Sequence, residues 1–206
     1  MTSNAVSGPV VGVLALQGAF LTHQQRLQSL GVDARLIKRP EQLDAVDALV
    51  LPGGESTTMS MLLDSSGLRE PIDDLLDAGM PVFGTCAGMI LCASTVLDGR
   101  PDQHGFDVID ITVRRNGYGR QLDSFETDLD VAGLDDPFHA VFIRAPFVET
   151  VGDDVDVLAC HNDVPVLVQS GSCTVAAFHP ELTDDNRLHK MFVDRIPHLI
   201  SANPEY

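Results

Sequence analysis

The sequence predicts an α/β fold built on a mostly parallel sheet, with antiparallel strands added towards its end. Three observations point there. Short apolar runs alternate with amphipathic stretches through the first half, glycines stand where helices should stop, and the second half holds closely spaced short strand signals separated by turn residues. Residues 10–16 (VVGVLAL) are almost wholly apolar and rich in Val, the composition of a strand covered on both faces. Gln17 and Gly18 turn the chain into a helix expected over 19–30, with Gly31 at its C-terminal cap. Residues 33–37 and 48–51 read as the next strands. A helix over 68–78 ends at Gly79 and is followed by a strand at 81–84 and a helical stretch at 89–96. Beyond these, 109–114, 124–129, 139–142, 155–160, 164–169 and 173–178 are strand candidates expected to extend the same sheet. A last helix over 186–200, apolar at Leu188, Met191, Phe192 and Ile196, can pack back on that sheet. The whole reads as one domain, 1–206, with a core at about 10–196.

Composition narrows the classes of function. The 206 residues are 44% hydrophobic and 21% charged, enough to bury a core without a metal or disulfide staple. A formal net charge of −17 repels phosphate backbones and anionic lipid, so neither nucleic acid nor a membrane surface is an expected partner. The four cysteines, Cys86, Cys92, Cys160 and Cys173, make no CxxC pair and no zinc-type cluster, which favours a reducing cytoplasm and no metal. The start, MTSNAVSGPV, lacks the basic and long apolar regions of a signal peptide. No apolar run approaches the roughly 18 residues that span a bilayer. A soluble cytoplasmic protein without a cofactor is the expectation.

Gly84-Thr85-Cys86-Ala87-Gly88 follows an apolar strand and precedes a helical stretch, the G-x-nucleophile-x-G elbow pattern with Cys as nucleophile. A nucleophile on so tight a turn needs flanking residues little larger than glycine. The turn sets the sulfur at a helix N-terminus, where free N–H groups and the dipole favour thiolate over a free-cysteine pKa of about 8.5. The bland alternative is a buried small hydrophobe between packed glycines, and that reading is preferred for the other three cysteines.

A thiolate nucleophile also needs an imidazole and a group to orient it. Phe178-His179-Pro180-Glu181 supplies both, since residues two apart in extended chain share a side and Pro180 biases His179 towards extended backbone. His23, His189 and His198 fall on expected helices with no acid two residues on, and read as surface or boundary positions. His161-Asn162-Asp163 is a rival pair that reads better as a polar hairpin turn.

Leu51-Pro52-Gly53-Gly54-Glu55-Ser56-Thr57 leaves a strand at the sheet edge where the elbow also emerges, the edge at which open α/β sheets bind ligands. The N–H groups of Gly54 and Ala87 could form a two-donor oxyanion hole, while Ser56 or Thr57 could simply cap the next helix. No Lys follows the glycines as a phosphate-binding P-loop requires. Arg115 and Arg144 can balance nearby carboxylates, yet arginine is also suited to gripping the carboxylate of an amino-acid ligand.

Taken together, five segments carry a family resemblance. They are Gly12 to Gly18 (GVLALQG), Leu51 to Thr58 (LPGGESTT), the elbow Gly84 to Gly88, Arg115 to Gln121 (RNGYGRQ) with Asp123-Ser124-Phe125, and Phe178 to Glu181 (FHPE). The chain resembles the glutaminase subunit of pyridoxal 5′-phosphate synthase, within the class I, triad-type glutamine amidotransferases. The resemblance implies a three-layer, flavodoxin-like class I amidotransferase fold. It implies hydrolysis of L-glutamine to glutamate and ammonia, and delivery of the ammonia to a barrel-type synthase subunit. By position it makes Cys86 the nucleophile, His179 and Glu181 its relay, and Gly54, Glu55, Ser56, Arg115, Ile143 and Arg144 the glutamine-binding residues. It further implies a glutaminase nearly inert until docked. Two rivals remain at this level: a cysteine hydrolase of similar architecture acting on peptides or small aldehydes, and a binding module whose cysteine is incidental.

Overall fold

The computed structural model describes residues 8–100, 103–115 and 124–202. In chain order the elements are β1 (Val10–Leu14), α1 (Phe20–Ser29), β2 (Asp33–Ile37), a 3-10 turn (Pro40–Ala45), β3 (Ala48–Leu51), α2 (Ser56–Ser66), α3 (Arg69–Asp77), β4 (Val82–Thr85), α4 (Ala87–Cys92) and β5 (Ala93–Val96). There follow β6 (Ile109–Arg114), β7 (Ser124–Leu129), β8 (Phe138–Ile143), β9 (Phe147–Val151), β10 (Asp156–His161), β11 (Val164–Ser170), β12 (Cys173–Ala176), a 3-10 turn (Pro180–Leu182) and α5 (Arg187–Ala202).

Every residue of β3, β4 and β12 is buried, as the unbroken apolar runs demand of strands covered on both faces. They lie at the centre of a seven-stranded sheet ordered β10–β11–β12–β4–β3–β1–β2. From β2 to β12 the neighbours are parallel, and β11 and β10 are added antiparallel. The crossover from β1 to β2 steps outward one way, whereas β3 to β4 and β4 to β12 step the other way. Right-handed crossovers then put the connecting helices on opposite faces. The packing agrees, for α1 lies against α5 while α2 lies against α4. The result is three layers with a change of direction between β1 and β3, and a crevice opens at the carboxyl ends of those strands.

The helices expected from periodicity are present, and those after which Gly31 and Gly79 stand end at glycines of positive φ, 79° and 91°. Three expectations need correction. The helical stretch expected over 89–96 is a short α4 that gives way at Ala93 to β5, paired parallel with β6. Ser94, Thr95 and Val96 include the β-branched residues that favour this. Secondly, the later strands do not all extend one sheet. Only β10, β11 and β12 join it, while β5–β6–β9 and β7–β8 form two small sheets. Thirdly, β9 was not expected, because the run FVETV carries its pairing signal only once β6 lies alongside. The turn reading of His161-Asn162-Asp163 holds: Asn162 and Asp163 have φ of 49° and 63° between β10 and β11. Among the described residues no helix is long and apolar enough to cross a membrane.

Leu49 in β3 is wholly buried and packs across Gly12 of β1, where an added methyl group would lie 3.0 Å from Leu49 Cδ2. Leu49→Ala should therefore leave a cavity the rigid strands cannot close and cost about 2–5 kcal/mol of stability in urea unfolding.

Candidate active site

The site forms where β1, β3, β4 and β12 all end. Beyond Thr85 the chain makes a sharp turn at Cys86, whose φ of 50° and ψ of −102° lie outside the regions an ordinary side chain favours. Two contacts hold that strain. The Cys86 N–H donates to the Ala176 carbonyl of β12 at 2.8 Å, and α4 starts at once with Ala87. Gly88 lets α4 lie against β3, since a Cβ there would stand 2.0 Å from the Leu51 carbonyl oxygen. Cys86 is thus nearly buried, at 6% exposure, with Sγ 4.0 Å from the Ile143 carbonyl oxygen.

His179 reaches the same point from the end of β12. Its N–H donates to the Val141 carbonyl of β8 at 2.9 Å, and Phe178 before it is buried against Phe138 and Phe142. His179 Nδ1 lies 2.8 Å from Glu181 Oε1, and its ring and the Cys86 side chain flank Gly53 in the same cleft. The two side chains meet as the sequence led us to expect, although not by strand alternation. Pro180–Leu182 is a 3-10 turn, and it is this turn that brings the carboxylate under the ring. Gly53 fills the remaining gap, for a Cβ on it would lie 2.3 Å from His179 Cε1 and 3.4 Å from Cys86 Cβ.

Burial shapes the charges. It opposes protonation of His179, yet the contacts with Cys86 and Glu181 outweigh it and raise the ring from the usual 6.5 to about 10. Burial likewise pushes the Glu181 carboxyl up, and here the facing His23 and His179 prevail and hold it well below the ordinary carboxylate range. A thiol, an imidazole and a buried carboxylate in this order can generate a nucleophile and return a proton to a leaving group.

A cleft of about 450 Å³ opens over Cys86 and His179, lined also by Gln17, Gly53, Gly54, Glu55, Ser56, Ile90, Arg115, Ile143, Arg144 and Leu182. The structure therefore brings together Cys86, His179, Gly54, Glu55, Ser56, Arg115, Ile143 and Arg144. Glu181 lies buried behind the cleft, and Ala87 at the first position of α4 beneath it. Glu55, not Ser56 or Thr57, caps α2, its carboxylate accepting from the N–H groups of Thr57 at 3.2 Å and Thr58 at 2.7 Å. Those hydrogen bonds overcome partial burial and bring its pKa down to about 2. Arg115 Nη2 lies 2.7 Å from Glu55 Oε1, so a cation and an anion face the cleft side by side. Arg144 is exposed and not sunk among apolar groups as its neighbours in sequence suggest, and it too has positive φ, 44°. Asn116 to Gln121 and Asp123 lie outside the described residues.

Sequence reasoning missed Gln17, whose Oε1 accepts from the Glu55 N–H at 2.9 Å and packs on Gly54. It also misplaced two histidines. His23 and His189 are wholly buried, and His23 Nε2 lies 3.3 Å from Glu181 Oε2. A usable signal existed: His23 shares the apolar face of α1 with Leu27, and His189 follows the buried Leu188 in α5.

Fold and site define an α/β protein with a thiol, an imidazole and a carboxylate assembled at the carboxyl edge of its parallel sheet. The chain belongs to the SNO glutamine amidotransferase family, whose family model matches residues 13–198. It is 57% identical over 188 residues to the pyridoxal 5′-phosphate synthase subunit PdxT of Mycobacteroides abscessus, covering 91% of this chain and 97% of that one. The subunit of the same name from Salinispora tropica is 54% identical over 197 residues, 93% of this chain and 98% of the other. A solved structure described as a glutamine amidotransferase superposes with a TM-score of 0.86 at 45% identity, covering 91% of this chain and 98% of that chain. A putative GMP synthase component from Thermoplasma acidophilum, 17% identical with a TM-score of 0.66 and covering 95% and 97% of the two chains, shares the fold.

The raised pKa of His179 links its charge to stability. Its contribution is complete below the unfolded value of 6.5 and is lost as pH climbs through about 10, because over that interval the folded state holds a proton the unfolded state has released. Replacing it, His179→Gln, should flatten the decline of unfolding free energy across that interval, read from urea titrations at successive pH values.

Proposed function

We propose that this protein hydrolyses L-glutamine to L-glutamate and ammonia through Cys86, His179 and Glu181. It then supplies the ammonia to a barrel-type synthase subunit that makes pyridoxal 5′-phosphate. The observation that carries this reading is that Cys86 and His179 stand side by side at Gly53 and line one cleft of amino-acid size. Family membership and the names of the similar subunits support the substrate and the partner.

In this mechanism protonated His179, held by Glu181, keeps Cys86 as a thiolate, and the sulfur attacks the side-chain amide carbon. The N–H groups of Gly54 and Ala87 serve the oxyanion. The Gly53 carbonyl accepts from the Ala19 N–H at 3.2 Å, which restrains the Gly53–Gly54 peptide plane. An oxyanion donor of this kind is worth about 100- to 1000-fold in rate. His179 then protonates the departing ammonia, and water, activated by the same ring, hydrolyses the thioester. The adjacent charges of Arg115 and Glu55 suit the α-carboxylate and α-ammonium of free glutamine, with Ser56, Ile143 and Arg144 completing the grip. The protein acts as one domain, in a reducing cytoplasm where the cysteine stays free.

Ammonia release from glutamine, measured with and without the synthase, tests this. Release should rise when the synthase is added, and Cys86→Ala should lower it by at least about 10,000-fold while the two proteins still associate. Full activity in that variant, or no ammonia with the synthase present, would sink the proposal.

A further inference from the structure

Behind the cleft lies a second, wholly buried polar cluster that the proposed mechanism does not use. Glu181 is fully buried and gives Oε1 to His179, so its other oxygen must find a donor away from water. Among the described residues Oε2 has no hydrogen bond of good geometry, and the group facing it is His23 Nε2 at 3.3 Å. The same nitrogen lies 3.0 Å from Thr85 Oγ1, the residue directly before the strained Cys86. On its other side, His23 Nδ1 lies 2.9 Å from His189 Nε2. We infer that His23 is a positioning residue of this site, pinning the outer oxygen of Glu181 to the elbow strand through Thr85, with His189 setting its tautomer.

The tautomers follow from hydrogen-bond accounting. His23 Nε2 faces a carboxylate oxygen and therefore carries hydrogen, shared with the Thr85 oxygen. His23 Nδ1 then accepts from the His189 Nε2–H, which leaves His189 Nδ1 as a bare lone pair, and among the described residues that atom indeed has no partner. The reverse assignment would strand a buried N–H, which costs more. Burial lowers the pKa of His189 to about 3 and keeps it neutral, as the assignment requires. Phe83 lies edge-on to both rings and closes the cluster on that side. The titratable groups around it are His179 and Cys86 towards the cleft and Arg26 on α1, whose Nε donates to the Glu181 carbonyl at 3.2 Å and whose Nη2 pairs with Asp184.

Without the His23 donor, a buried Glu181 gains from taking up a proton and turning, and His179 loses its orienting partner. The inference rests on the glutaminase reading only for its kinetic arm. His23→Leu removes the donor at similar volume, whereas His23→Gln keeps an N–H near the position of Nε2. In the complex with the synthase, His23→Leu should lower kcat for ammonia release by about 10- to 100-fold with KM little changed. It should also move the acid limb of kcat/KM to higher pH, and His23→Gln should recover most of both. Independently of any substrate, the low-field proton resonance of the His179 Nδ1–H bonded to Glu181 should vanish in His23→Leu and persist in His23→Gln. If the wild-type complex releases no ammonia while this resonance responds as stated, the glutaminase reading falls and the inference stands. A folded His23→Leu with wild-type kcat, an unmoved acid limb and an intact resonance would overturn the inference. Should His23→Leu not fold, His189→Gln, which keeps a donor to His23, should retain kcat while His189→Leu lowers it several-fold. Equal kcat in these two would also overturn it.

Discussion

A carboxylate removed from water organises one whole end of this molecule. Glu181 is buried deeper than the imidazole it serves, so it is ionised only because polar groups converge on it from several elements. His179 comes from the end of β12, His23 from α1, and Arg26, also on α1, binds the carbonyl of the same residue. Moving any of these elements would expose the carboxylate or leave it unpaired, and either event frees the imidazole ring. The packing of α1 and α5 on one face of the sheet is thereby tied to the orientation of a ring at its edge.

The second constraint is backbone strain at Cys86. A residue with φ of 50° persists there because β12 takes its N–H and α4 cannot retreat from β3. Parallel neighbours β3, β4 and β12 end at one level, so the glycine pair, the cysteine and the histidine emerge together. The change of direction between β1 and β3 opens the cleft just there, and Gln17 after β1 braces the Gly54–Glu55 backbone across it. Strand order thus sets the position of the cleft, and local strain aims the sulfur into it.

Much of this is legible in the chain's residues alone. The strands at 33–37, 48–51, 109–114 and 124–129 coincide with their apolar or alternating runs, since a strand's burial is written in period two. The thiol, its imidazole and the carboxylate stand out through local chemistry: two glycines around a cysteine, and a histidine two residues before a glutamate. Less legible are the ends of elements and the grouping of strands. The β-branched Thr95 and Val96 only lean towards strand, and the choice over a helix's last turn is made when β6 offers hydrogen bonds.

Sequence by itself determined which segments could be strands, where helices had to stop, and which few side chains had nucleophilic or basic chemistry. Those properties live in a window of a few residues, where backbone freedom and hydrophobic period act alone. Tertiary structure decided which strands share a sheet, that a 3-10 turn and not an extended chain sets Glu181 beneath His179, and that His23 and His189 lie inside. The physical reason is that burial of a polar side chain depends on partners 62 to 166 positions away in the chain, such as Thr85 and His189 for His23. No local pattern carries that information.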